Sequence, residues 1–300
     1  MRIEDDYGQK DTSAVWVLPV PFEMTSCFIE GSAWGPAEII EASVQLEYYD
    51  DYVDAEGGFQ YGIYTFPPFY PPRDSVKGAL DTITDFVKTV PVEDHMLVTL
   101  GGEHSITPGV IAGLADRYHD LVIVQLDAHC DLVSSYDGTR WSHACAMRNC
   151  LPYIQGLLQL GIRSYGQEEA DLIAQSDKVK VWKAEAMYRD KEHHYLDELR
   201  EAVAGKNVYL TIDIDGLDIF VVSDVGTPYP GGIGWYEALD IIRTVAQHAH
   251  VVAFDCVEFA PFERSAPAKA AAHSVAALIY KTMNAIMLKR GKITPNSSPK

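Results

Sequence analysis

Three carboxylates crowd the end of one apolar run: Asp213, Asp215 and Asp218 in "NVYLTIDIDGLD". Packed together without partners, they would repel one another and lose hydration. A positive group at that place resolves the conflict. Related chemistry recurs where other apolar runs end. "HMLVTLGG" leads into "EHS" and delivers His104. "LVIVQLDAHCD" delivers Asp127, His129 and Asp131, and "VVAFDCVEF" delivers Glu258. Open parallel sheets hold their ligands at the C-terminal ends of strands, so these residues are expected along one sheet edge.

Spacing adds detail. In a strand, residues i and i+2 face the same way, which aims Asp213 and Asp215 at one point and Asp127 and His129 at another. Four residues of ideal strand would carry Asp131 roughly 13 Å past Asp127. It joins the group only if the chain bends there, and "AHCDLVSSYDG" is loop-like enough to bend. Asp218 falls off that face and is expected as a loop or supporting group. Cys130 points to the opposite face as a packed thiol. Asp127, Asp131, Asp213 and Asp215 together carry four negative charges. One divalent cation leaves half of that charge uncompensated, and two balance it. A carboxylate-bridged pair about 3.5–4 Å apart is a known catalytic arrangement. Four hard oxygen ligands with two imidazoles favour manganese over a thiolate-rich structural zinc, with other divalent ions compatible.

The elements that must position these groups alternate along the chain. Strands are expected at 14–20, 95–102, 121–127, near "GIRS", at "KVKVW", at 207–213 and at "HVVAFDCVEF". Helices are expected at 35–43, 74–90, 107–120, within "ACAMRNCLPYIQGLLQL", at "QEEADLIAQS", at 193–205, at "WYEALDIIRTVAQHA" and in a long closing segment. Apolar strands separated by helices indicate an α/β fold whose parallel sheet is covered on both faces. No linker divides the chain, so one domain over 1–300 is expected, with flexible termini at 1–13 and 291–300. The Pro- and aromatic-rich stretch 61–74 reads as a packed surface loop, a cover over a site, or a contact with a neighbouring subunit.

Composition sets limits. The 300 residues are 47% hydrophobic, enough for a sizeable core. The 24 basic and 43 acidic residues leave a net charge of −19, which argues against nucleic acid or an anionic membrane as partner and tolerates a cationic small molecule. No segment approaches the roughly 20 apolar residues of a membrane span. Five irregularly spaced cysteines and no secretory leader in "MRIEDDYGQK" fit a reducing cytoplasm.

The motifs "GGEHSIT" (101–107), "DAHCD" (127–131), "SHACAMR" (142–148), "DIDGLD" (213–218) and "GTPYPGG" (226–232), in this order, resemble the ureohydrolase family of arginases, agmatinases and related guanidino hydrolases. "PVPFEMTSCFIEGSAWGPAEIIEAS" and "DCVEFAP" extend the resemblance to about residues 14–288. It implies an arginase-like three-layer fold with a mainly parallel, about eight-stranded sheet. It also implies two Mn²⁺ per subunit. The first would be held by His104, Asp127, Asp131 and Asp213, and the second by His129, Asp127, Asp213 and Asp215, so that Asp127 and Asp213 bridge. The implied chemistry is attack of metal-activated water on a guanidinium carbon. Asp131 passes a proton to the departing amine, His143 shuttles protons, and Glu258 pairs with the guanidinium. Homotrimers or homohexamers are usual in the family.

The substrate is read from departures within the motifs. Arginase-like members place an Asn two residues after the DAHxD motif to help bind the α-carboxylate, and this chain has Val133 there. "SSYDGTRWSHA", with Asp137, is closer to agmatinases. Agmatine, giving putrescine and urea, is therefore the leading expectation. Guanidinobutyrase, arginase or guanidinase activity, or a non-catalytic metal- and polyamine-binding protein, are the alternatives. "FAPFERSAPAKAAA" after Glu258 and "IFVVSDVG" after the "DIDGLD" motif depart from the agmatinase pattern near the expected substrate tail.

Overall fold

Eight parallel strands carry the chain, in a computed structural model that describes residues 7–261 and 265–296. They are β1 (Val15–Val20), β2 (Ile63–Thr65), β3 (Met96–Gly101), β4 (Val122–Leu126), β5 (Gly156–Ile162), β6 (Val179–Lys183), β7 (Asn207–Asp213) and β8 (His250–Val257). Their order across the sheet is β2-β1-β3-β8-β7-β4-β5-β6. The three-layer α/β fold expected from the sequence is the fold observed. Strands β1, β3, β4 and most of β8 are buried along their length, as a sheet covered on both sides requires.

Two apolar layers cover it. Helices Gly35–Ala42, His194–Val203, Trp235–His248 and Ala266–Lys289 pack on one face through residues such as Ile39, Leu199, Ile242 and Ile279. Helices Val76–Thr89, Thr107–Leu114 and Ala146–Cys150 cover the other through Ile83, Val110 and Met147. Ser75 caps the first of these second-face helices, its side chain accepting from Gly78 N.

The structure corrects several expectations. The helix expected within "ACAMRNCLPYIQGLLQL" is Ala146–Cys150, and the strand expected near "GIRS" begins earlier, so that "GLLQL" is β5. A continuous apolar run is compatible with either state, and pairing with β4 and β6 decides it. The helix expected over 107–120 ends at Leu114. The stretch 61–74 contributes edge strand β2, and then Phe66 N and Phe69 N donate to Val17 O and Pro19 O alongside β1. The aromatic rings of Phe66 and Phe69 pack against Phe86. Residues 1–6 and 297–300 of the termini expected to be flexible lie outside the described residues. The described parts of the termini are bonded to the body: Trp16 Nε1 donates to Lys10 O, Ile293 is buried, and Asn296 N donates to Asp54 O.

Central strands β3, β8, β7 and β4 end side by side. Directly paired residues one to three positions before the strand ends form a buried polar row that extends into β5: Thr99, Asp255, Thr211, Gln125 and Gln159. Gly102 lets the chain turn out of β3. A Cβ there would lie 2.0 Å from Phe22 O, while Glu103 N donates to that same oxygen. Because the obstacle is backbone, Gly102→Ala is expected to cost about 3 kcal/mol of stability. A lowered midpoint in denaturant unfolding measures it, and an unchanged midpoint refutes the close-approach argument.

Candidate metal centre

The ends of β3, β4 and β7 bring His104, Asp127, His129, Asp131, Asp213 and Asp215 together. His104 Nδ1 lies 3.3 Å from Asp127 Oδ2, 3.1 Å from Asp131 Oδ2 and 3.1 Å from Asp213 Oδ2. His129 Nδ1 lies 3.1 Å from Asp215 Oδ2 and 3.7 Å from Asp127 Oδ1. Two sets bring potential ligand atoms within 4.8 Å of one another: His104–Asp127–Asp213 and Asp127–His129–Asp215. Asp127 is common to both. Asp213 falls in the first set, where the resemblance had it serving both, and Asp131 reaches the first through His104.

The local geometry differs from the simple strand argument. Strand β4 ends at Leu126, so Asp127 and His129 already lie on the connecting loop. His129 pairs as an isolated parallel bridge with Ser164. The expected bend is present, and Asp131 takes the left-handed conformation at φ +54°. Asp213 closes β7 and caps a short 3₁₀ turn, its carboxylate accepting from Asp215 N at 2.9 Å. Asp215 is therefore turned inward by a cap rather than by strand alternation. Gly216 in that turn has no room for a Cβ, which would meet Asp127 N at 2.6 Å. Asp218 supports the neighbouring loop by accepting from Gly231 N and Gly232 N. Cys130 is a fully buried thiol, as expected.

Residues that sequence reading did not single out hold the constellation in place. Asp255 accepts hydrogen bonds from Thr107, Tyr209 and Thr211. Thr211 has one hydroxyl proton, given to Asp255 at 2.5 Å, so it accepts from His104 Nε2 at 3.0 Å. That arrangement keeps a proton on Nε2, so Nδ1, which faces three carboxylate oxygens, is the nitrogen whose lone pair a cation would take. Nδ1 is a buried atom without a hydrogen-bond partner. A lone pair and three anionic oxygens aimed at one point fit a divalent cation, and the donor set matches. Gln125 Nε2 donates to Asp127 Oδ2, Ala128 N and Thr227 Oγ1 donate to Asp215, and Arg163 ties down Asp215 O and Tyr229 O. Their signal in the sequence was a polar residue in the middle of an apolar strand, as in "IVQLD" and "AFDCV".

Without a cation, protons hold the cluster together. Burial alone would lower the pKa of His104, but Asp127, Asp131 and Asp213 outweigh it and hold the imidazole well above its ordinary range. At His129 burial is likewise outweighed, by Asp215 and Asp127, and the pKa is pushed up to about 12. Burial and then neighbouring carboxylates raise Asp213 and Asp131. Asp127 goes the other way, because His104 and His129 outweigh its burial. Glu258 stands beside the cluster in a left-handed conformation, φ +62°, with Oε1 accepting from His104 N at 2.6 Å. Burial, then Glu103, raises its pKa well above the ordinary value. Two non-glycine residues with positive φ, Asp131 and Glu258, thus line one site, where such strain commonly serves function. His143 opens a short 3₁₀ turn at the rim, half-buried.

A cavity of about 280 Å³ joins these groups. His104, His129, Asp131, Asp213, Asp215 and Glu258 form part of its lining, with His143, Val133, Tyr136, Tyr165 and Glu169 around them. Among the described residues no Lys or Arg lines it. Residues 262–264 of the divergent "FAPFERSAP" segment lie outside the described residues.

The sequence pattern of the arginase family matches residues 13–284. The chain belongs to the arginase family. An N(1)-aminopropylagmatine ureohydrolase from Synechocystis is 34% identical over 279 residues, spanning 90% of this chain and 88% of that one. An agmatinase from Bacillus cereus is 32% identical over 280 residues, spanning 87% and 91%. The crystal structure of agmatine ureohydrolase of Thermoplasma volcanium superposes with a TM-score of 0.83 at 27% identity, covering 95% of each chain. This arginase-family chain is an enzyme of the ureohydrolase type, with two candidate ligand sets at its sheet edge. Among its described residues no helix is long and apolar enough to cross a membrane.

The proton inventory predicts how metal and pH are linked. His104 and His129 have raised folded values, so their stabilising protons are fully present below the ordinary imidazole value of 6.5. They are lost as pH rises, for His129 up to about 12. A cation replaces those protons, and its stabilising effect grows with pH. The gain in Tm on adding Mn²⁺ to metal-free protein is expected to be larger at about pH 8.5 than at about pH 6. A gain that is equal or smaller at the higher pH contradicts this. Thr211→Val, which removes the partner of His104 Nε2, is expected to weaken Mn²⁺ binding by about 10–100-fold in calorimetric titration.

Proposed function

We propose that this enzyme hydrolyses the guanidino group of a decarboxylated, cationic-tailed substrate to urea and an amine, with agmatine giving putrescine as the leading case. The observation that carries this reading is the cavity lining. It offers carboxylates and aromatic rings to a cation, and no Lys or Arg among the described residues to an α-carboxylate. A carboxylate buried there would go uncompensated, at a cost of several kcal/mol. Val133 adds no side-chain donor. N(1)-aminopropylagmatine is the second reading, favoured by the 34% identity to the Synechocystis enzyme of that name.

In this reading His104, Asp127, Asp131 and Asp213 would hold one Mn²⁺, and Asp127, His129, Asp213 and Asp215 would hold the other. When bound, the pair would supply the positive charge that acidifies a water and so makes it a nucleophile toward the guanidinium carbon. Glu258 presents a carboxylate to the planar guanidinium, whose paired N–H donors match it. Its position beside His104 sets the guanidinium carbon near the ligand cluster. Asp131 carries a proton toward the departing nitrogen, and His143 exchanges protons with solvent at the rim. The walls around Tyr136, Tyr165 and Glu169 receive the cationic tail.

The single sheet and its two apolar layers support reading the whole chain as one catalytic domain. Exposed Phe220, Tyr188 and Tyr236 support a homo-oligomer, trimer or hexamer, which light scattering measures. The five free cysteines fit a reducing cytoplasm.

Reconstitution with Mn²⁺ and urea detection across agmatine, N(1)-aminopropylagmatine, arginine, guanidinobutyrate and guanidine tests the reading. Arginine is expected to have kcat/KM at least about 100-fold below the preferred amine-tailed substrate. Preference for arginine overturns the substrate assignment, and absence of urea from every compound overturns the activity. Asp127→Asn is expected to lower turnover by about 10³-fold or more and to reduce bound metal. Unchanged turnover would remove its shared-ligand role.

A further inference from the structure

A buried carboxylate behind the rim faces His143 through a hydroxyl. Glu103 is fully buried, and its carboxylate gathers donors from two segments. Its Oε2 accepts from Met24 N, Thr25 N and Ser26 N at 2.9, 2.6 and 3.1 Å, and its Oε1 accepts from Thr25 Oγ1 at 2.9 Å and from the Ser105 hydroxyl. Five donors on one carboxylate hold the 24–26 segment in a single arrangement. Thr25 Oγ1 in turn accepts from His143 N at 3.0 Å and lies 3.1 Å from His143 Nδ1.

Proton counting then favours one state of the ring. Thr25 has one hydroxyl proton, and Glu103 takes it. The contact between Oγ1 and Nδ1 is attractive only if Nδ1 carries a hydrogen; otherwise two lone pairs oppose each other at 3.1 Å. Ser142 Oγ, 3.3 Å from Nδ1, can share that hydrogen as a second acceptor. The other nitrogen, Nε2, lies 3.8 Å from Cys27 Sγ, within reach of a weak S–H donor. The Tyr136 ring stands 5.8 Å from the imidazole. His143 and Cys27 both line the cavity.

We infer that Thr25, backed by Glu103, is a positioning residue that holds His143 in the Nδ1–H tautomer, so that its unprotonated Nε2 is the atom that accepts and returns protons at the cavity rim. The inference rests on the proposed role of His143 as proton carrier. It also assigns a job to the segment "FEMTSC", which the functional reading otherwise leaves idle. The device parallels the one behind His104: in each case a buried carboxylate takes the proton of a threonine hydroxyl, and that hydroxyl accepts from one ring nitrogen and frees the other. For His104 the free nitrogen faces the carboxylate cluster, and for His143 the edge of the cavity.

Two measurements on the full chain separate this from a merely structural role. Long-range ¹H–¹⁵N spectra of histidine-labelled protein read the tautomer directly. They are recorded without metal and with diamagnetic Zn²⁺ at about pH 9, above the ordinary imidazole range, with His143 assigned by loss of its signals in His143→Gln. The expected result is a protonated Nδ1 and a pyridine-like Nε2. A protonated Nε2 in the unmodified chain overturns the inference, whether or not any variant folds. Kinetically, Thr25→Val is expected to lower kcat for the preferred substrate by about 10–100-fold with KM within about twofold. Thr25→Ser, which keeps the hydroxyl, recovers most of that loss. A kcat for Thr25→Val within about twofold of the unmodified enzyme, or a serine variant as impaired as the valine one, also overturns it. If no guanidino compound yields urea, the functional reading fails on its own, and the spectra still decide the tautomer.

Discussion

Asp127, Asp131, Asp213 and Asp215 meet around His104 and His129 out of water, and their mutual repulsion is the constraint to which the rest of the structure answers. Four carboxylates that close do not stay ionised without opposing positive charge. With protons alone, the imidazoles are forced far above their ordinary range, and burial with neighbouring carboxylates drives Asp213 well above its own. Divalent charge relieves all of these groups at once. The site is thus built for a state richer in positive charge than the chain itself supplies, and folding energy from elsewhere must hold it ready.

That energy comes from a sheet whose central strands are buried on both faces. Apolar layers lock β3, β8, β7 and β4 side by side, so that their ends present ligands at one edge. The polar row Thr99–Asp255–Thr211–Gln125–Gln159 runs across the strands just beneath. It is expensive to bury, and most of it is hydrogen-bonded upward to the ligands or sideways within the row. Ligand orientation is therefore set by groups that cannot themselves move without opening the core.

The loops finish the work by close approach and strain. Gly102 and Gly216 admit backbone where any side chain would collide, and Asp131 and Glu258 are held in left-handed conformations that put their carboxylates at the site. Arg163 clamps the carbonyls of two loops together. The cavity above is left with carboxylates and aromatic rings, so the same acidity that calls for metal also favours a cationic guest.

Much of this was legible in the chain. Apolar runs ending in Asp, His or Glu located the edge of the sheet, because chain-end chemistry and strand hydrophobicity are local properties. They brought His104, Asp127, His129, Asp131, Asp213, Asp215 and Glu258 into one group. Local pattern could not decide whether "GLLQL" was helix or strand, since only pairing with β4 and β6 distinguishes them. It also assigned Asp215 to strand alternation where a 3₁₀ cap does the turning. The supporting carboxylates Asp255 and Glu103 escaped notice because their partners are far away in sequence: Thr211 is 44 residues from Asp255, and Thr25 is 78 from Glu103. The sequence by itself determined which chemical groups the protein owns and that they end strands. Tertiary structure alone decided which ring nitrogen His104 turns toward the carboxylates, because folding brings Thr211 to the other one.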